Sequence, residues 1–123
     1  MLRNIVATII LLGLDFTWLA VYMTPRYKEL VKSIQGSALK TNMSSALASY
    51  ALMVIALNVF VINYNFSNLE AFLFGVCLYG VYDFTNGAIF KNWDFKLAYI
   101  DVLWGGLVYF LAAYVSKFIV RKR

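Results

Sequence analysis

Apolar and polar positions fall in long blocks along this chain. Apolar runs occupy residues 5–23, 45–64, 69–90 and 97–118, separated by shorter polar stretches. Each run has about the 20 residues that a helix needs to cross the hydrocarbon core of a bilayer. Water is absent there, so a spanning segment must close its backbone hydrogen bonds internally, as a helix does. The pattern predicts an all-α, polytopic membrane protein: one integral domain over residues 1–123, folded as a four-transmembrane-helix bundle. Neighbouring spans are then antiparallel, with both termini on one side.

The edges of the blocks carry local signals. Leu2-Arg3-Asn4 followed by "IVATIILLGL" resembles the start of a secretion signal. Asp15 interrupts the place where cleavage would fall, however, and "DFTWLAVYM" offers no small-residue cleavage site, so this is read as a retained span. Pro25 is expected to stop it. In the following segment, 24–44, Tyr27, Leu30, Val31 and Ile34 recur at helical spacing, with Arg26, Lys28, Glu29 and Lys32 mostly on other faces. Two readings stay open: an amphipathic helix at the membrane surface, ended by Gly36, or a solvated loop. Ser45 and Ser49 form a small-xxx-small pair that permits close helix approach, and Gly75, Gly80 and Gly87 thin one side of the third span. Ser67 and Glu70 have capping-box spacing, and Asp94 is placed to cap the fourth span.

Composition agrees with lipid as the solvent. Hydrophobic residues make up 63% of the chain and charged residues 14%, where soluble domains carry roughly 25% charge. The net charge of +5 comes from basic residues scattered between the spans. That places them beside lipid headgroups and argues against nucleic acid, which needs a soluble module to hold a basic patch. The side of the termini holds Arg3, Lys117, Arg121, Lys122 and Arg123; the other holds Arg26, Lys28, Lys32, Lys40, Lys91 and Lys96. The two sets are too similar to fix an orientation. Histidine is absent, which removes histidine-based triads and the common zinc and haem ligand sets. No metal and no cofactor is expected. The lone Cys77 lies in an apolar run and reads as a small hydrophobe.

Three of the six acidic residues lie inside spans: Asp15, Asp83 and Asp101. An aspartate at mid-span costs about 2.5–3.5 kcal/mol on insertion scales, so these should face the bundle interior. Each has a hydrogen-bonding partner three residues on, on the same helix face: Trp18, Asn86 and Trp104 respectively. Counting along the helices puts all three carboxyls in the half of the bilayer toward segment 24–44. Close carboxylates in a low dielectric cannot all ionise easily. The candidate polar site is therefore Asp15, Trp18, Asp83, Asn86, Asp101 and Trp104, with Tyr79, Tyr82, Thr17 and Thr85 as further members of its network. Arg26, Tyr27, Lys91, Trp93 and Lys96 are its candidate rim. The phrase Asp-Phe-Thr occurs at 15–17 and again at 83–85, as if two helices supplied the same kind of wall to one pocket.

"LDFTWL" in the first span, "GVYDFTNGAIFKNW" from the third span into its loop, and "IDVLWGG" opening the fourth resemble a family of small bacterial membrane proteins, domain of unknown function 2177. The resemblance covers nearly the whole chain. It implies four spans, a multi-pass place in the bacterial inner membrane, and signature positions at Asp15, Trp18, Asp83, Asn86, Trp93, Asp101 and Trp104. It brings no activity with it. Three functions remain open: binding or transport of an ion, proton or small polar solute, for which a narrow bundle would need a homo-oligomer; a membrane-embedded enzyme acting on a lipid or isoprenoid; or an accessory subunit of a membrane complex. Apart from membrane lipids and such a homo-oligomer, the sequence names no partner or ligand.

Overall fold

The computed structural model describes residues 1–121, and within them the chain is helical, with four helices long and apolar enough to span a bilayer. Helix α1 (Leu2–Trp18) runs through a π-helical turn (Leu19–Met23) directly into α2 (Thr24–Gln35). Helix α3 (Met43–Ala56) likewise continues into a π-helical turn (Leu57–Ile62), and α4 (Asn68–Ile89) and α5 (Phe95–Arg121) complete the chain. Lys122 and Arg123 of the basic tail lie outside the described residues.

Pro25 does not end the first helix. Residues Leu2–Gln35 form one helical run of 34 residues, about 51 Å at 1.5 Å per residue. Proline breaks an α-helix because its ring meets the carbonyl four residues back and its N–H is missing. Here the preceding turn is widened: the Thr24 N–H bonds to the Leu19 carbonyl, five residues back. The proline then falls in the first turn of α2, where an N–H is dispensable. The helix expected beyond the first span is thus present but continuous with it. It ends where expected, at Gly36, whose φ of 75° suits a residue without a Cβ.

The other boundaries follow local chemistry. Asn42 caps α3 by accepting the Ser45 N–H. Ser67 and Glu70 form a reciprocal capping box at the start of α4. Asp94 accepts the Leu97 N–H at the start of α5. Asn65 and Asn92, both at positive φ, turn the chain ahead of these caps.

Helix α5 is the centre of the bundle: 44% of its most apolar stretch is buried, against 17% for each of the other three. Its contact with α4 is close enough to bring backbones together. A Cβ on Gly75 would strike the Gly105 carbonyl, and a Cβ on Gly105 would strike the Tyr79 ring. Gly87 faces Phe95 and Trp93, whereas Gly80 meets only Val102, at ordinary distance. On the terminal side the interior is a solid core that includes Leu11, Leu57, Val61 and Tyr109, all with 0% exposure. On the opposite side a smaller cluster of Met23, Leu30 and Leu97 packs with Trp18, Tyr22, Tyr27 and Trp93.

Helix α3 departs from expectation. None of its residues is buried, and Ser45 and Ser49 are exposed rather than pressed against a neighbour. Its last turn packs on the core through Met53 and Val54, the Met53 carbonyl accepting the Tyr109 hydroxyl, and its continuation enters the core through Leu57, Val61 and Ile62. Small residues permit close approach but supply little dispersion energy of their own. In this chain the permission is unused at Ser45 and Ser49, and α3 reaches the centre instead through Tyr50, whose buried hydroxyl faces Asp15.

Candidate functional site

The three intramembrane aspartates are drawn from three helices and meet in the interior, at 4%, 0% and 5% exposure for Asp15, Asp83 and Asp101. Asp15 of α1 accepts two hydrogen bonds on one oxygen, from the Tyr79 hydroxyl of α4 at 2.6 Å and the Trp104 Nε1–H of α5 at 3.1 Å. Asp101 of α5 accepts the Trp18 Nε1–H of α1 at 3.3 Å. Neither bond stays on its own helix. Each Asp-x-x-Trp pair gives its indole to the aspartate of the other, and the two indoles stack between them at 4.7 Å, 10° from parallel. The column extends outward: Trp18 also stacks on Tyr22 at 4.4 Å, and the Arg26 guanidinium lies over the Tyr22 ring at 3.7 Å.

Asp83 of α4 has a different environment. Neither of its oxygens meets an N–H or hydroxyl donor. Its neighbour is the Asp101 carboxyl, within hydrogen-bonding reach. A bond between two carboxyls exists only when one of them carries a proton. Asn86, expected as the partner of Asp83, turns instead toward Tyr82.

Asp15 and Asp101 form the polar end of a cavity of about 440 Å³, whose other walls include Leu52 and Met53 of α3 and Leu78 and Tyr82 of α4. Tyr27 and Tyr82 line both this cavity and a second one of about 280 Å³, which contains Asn86 and Trp93. The two tyrosines stand between the aspartates and that outer space.

The family described as "Predicted membrane protein (DUF2177)" matches residues 1–118. The chain belongs to that family. No curated protein and no solved structure matches it.

In this DUF2177 chain, five of the proposed site residues gather at the centre: Asp15, Trp18, Asp83, Asp101 and Trp104. Asn86 lies one cavity outward with Trp93. The rim residues separate. Tyr27 and Trp93 stack at 6.4 Å beside the outer space, and the Trp93 Nε1–H there is buried without a partner. Arg26 and Lys96 share a third cavity, of about 510 Å³, with Glu29 and Asp94. Lys91 is exposed and lines none of the three.

Thr17 and Thr85 are exposed and stay out of the network, and Thr17 donates back to the Gly13 carbonyl of its own helix. The Asp-Phe-Thr recurrence therefore places an inward acid and an outward, lipid-facing phenylalanine on two helices, with Phe16 and Phe84 exposed. The repetition that builds the centre is Asp-x-x-Trp, on α1 and α5. Tyr79, which donates the shortest bond to Asp15, sits four residues before Asp83 and so on the same face of α4.

A second polar cluster, at the end of the bundle holding the termini, was missed from sequence. Arg3 donates to Ser116, to Asn65 and to the Ala113 carbonyl. Asn4 donates to Asn58 and Asn63, and Asn58 to Thr8. Isolated asparagines in or beside apolar runs were its only signal. These bonds tie α1 to the end of α5 and to the 63–66 turn, which brings the two termini to one side.

Proposed function

We propose that this membrane protein binds, at its aspartate centre, a small ion or solute that carries positive charge or hydrogen-bond donors, a proton included. The observation that carries this reading is that three buried acids meet no basic side chain and that Asp83 meets no N–H or hydroxyl. Among the described residues the three carboxyls are met by Tyr79, Trp104 and Trp18, with the Tyr50 hydroxyl of α3 also facing Asp15, and by no lysine or arginine. Both oxygens of Asp83 go without an N–H or hydroxyl, and the buried Tyr50 hydroxyl beside Asp15 has no other partner. Buried carboxyls that serve only to join helices are satisfied by the helices they join. Acids left under-supplied in a low dielectric are a demand for a cation or donor from outside.

The cavity gives such a solute room beside Asp15 and Asp101. The closed core on the terminal side makes the site single-ended in this conformation, which suits binding from one side; passage across the membrane would need a second arrangement of the helices.

Trp18 and Trp104 stack between Asp101 and Asp15, so their fluorescence reports on occupancy. In nanodiscs, titration with potassium and with methylammonium should give a saturable change for at least one of them, weakened by about tenfold or more in Asp101→Asn, where a carboxylate at the cavity becomes a neutral amide. A flat response to both in the folded wild-type protein, or an undiminished one in Asp101→Asn, contradicts the proposal.

A further inference from the structure

We infer that the solute is the head of a single-chain amphiphile, one whose head donates hydrogen bonds and whose chain lies between α3 and α4. This rests on the proposed binding at the aspartates and adds the class of ligand. The cavity between α3 and α4 carries it. No residue of α3 is fully buried; it touches the centre through the Tyr50 hydroxyl and the core through Met53 and Val54, and its continuation is anchored at Leu57, Val61 and Ile62. The cavity is thus a cleft walled by Leu52 and Met53 on one side and Leu78 and Tyr82 on the other, with Asp15 and Asp101 at its inner end.

The two ends of the cleft make opposite demands. Its walls are apolar and face the lipid-exposed surface of the bundle: Leu52 is 66% exposed and Tyr82 54%. Its inner end holds two carboxyls, each more than nine-tenths buried and neither met by a lysine or arginine, beside the buried Tyr50 hydroxyl that faces Asp15. The end of an ordinary acyl chain pushed inward would bring these acids neither positive charge nor a further donor. A free small cation would leave the apolar walls to be filled by something else. A molecule with a hydrocarbon chain and a primary amine or hydroxyl end satisfies both, with its head inward and its chain running out to the bilayer. A cavity of about 440 Å³ is within the range that holds one small ligand. An anionic head is excluded by the acids it would meet, because no lysine or arginine contacts them.

The test uses the full chain in nanodiscs with two photoreactive probes of equal chain length, an alkylamine and the corresponding carboxylate, and maps the labelled residues by mass spectrometry. The expected result is amine labelling of Leu52–Met53 in α3 and Leu78–Tyr82 in α4, at least about tenfold above the carboxylate probe. Excess dodecanol or dodecylamine should suppress it, and Leu52→Trp, which fills the cleft from its outer wall, should reduce it. Which of the two competes better tells a neutral donor head from a charged one. Equal labelling by both probes, or labelling spread evenly over the lipid-facing surface, overturns the inference. So does a cross-linked dimer in which a second copy covers the cleft and excludes the amine. If methylammonium still alters the tryptophan fluorescence in that case, the small-solute reading stands and only the amphiphile is lost. If neither methylammonium nor the amine acts, both readings fall.

Discussion

Asp15 and Asp83 are the same residue type at similar depth, yet they have different jobs by the groups around them. Asp15 receives the Tyr79 hydroxyl and the Trp104 indole and so joins three helices. Replacing it by leucine leaves both donors buried without an acceptor, at about 1–3 kcal/mol each. Unfolding free energy in bicelles should fall by about 3 kcal/mol for Asp15→Leu and by about 1 kcal/mol for Asp15→Asn, whose amide oxygen still accepts. Equal losses in the two variants would show that the hydrogen bonds are not what Asp15 contributes. The sequence announced that these acids matter, because an aspartate in an apolar run is costly wherever it faces lipid. It paired each with the tryptophan or asparagine three residues on. A shared helix face brings such groups to the same neighbour, and here the neighbour is the equivalent pair on the opposing helix. The exchange between Trp18 and Trp104 follows from how α1 and α5 pack, which no single-helix pattern contains.

Between elements, α4 and α5 offer a controlled comparison. Gly75 lies against the backbone of Gly105 and Gly106, while a Cβ at Gly80 would find Val102 at 4.0 Å. Gly75→Ala must push the helices apart and should cost about 1–3 kcal/mol, whereas Gly80→Ala should be neutral or slightly stabilising, since alanine is the better helix former. Similar values for both would mean that the helices do not touch where described. From sequence alone the two glycines are indistinguishable, since each would thin a face. The caps at Ser67 and Asp94 and the stop at Gly36 were legible because such signals act within one turn. Pro25 misled for the same reason: its local rule assumes α-helical geometry on both sides, and the π-helical turn at Leu19–Met23 changes that geometry. Ser45 and Ser49 misled because close packing needs a partner surface, and none is brought to them.

At the scale of the molecule, four apolar helices and membership of the DUF2177 family make this a multi-pass membrane protein. Its interior is divided. A closed core and an asparagine-rich seal occupy the end with the termini, and cavities and acids occupy the other. That polarity was partly visible in the sequence, where all three intramembrane acids counted to one half of the bilayer. The seal was not visible, because Arg3, Asn4 and Asn58 sit far apart in the chain and meet only through the fold.

The most direct test is the stability of Asp83→Asn. If the aspartate centre is kept for a ligand, an amide at position 83 donates an N–H to Asp101 without the shared proton that the acid pair needs, and without changing shape. Unfolding free energy in ligand-free bicelles should then stay level or rise by about 1 kcal/mol, while the tryptophan response to methylammonium or potassium disappears. A loss of more than about 1 kcal/mol, with the response retained, would show that Asp83 holds the helices together and would contradict the account.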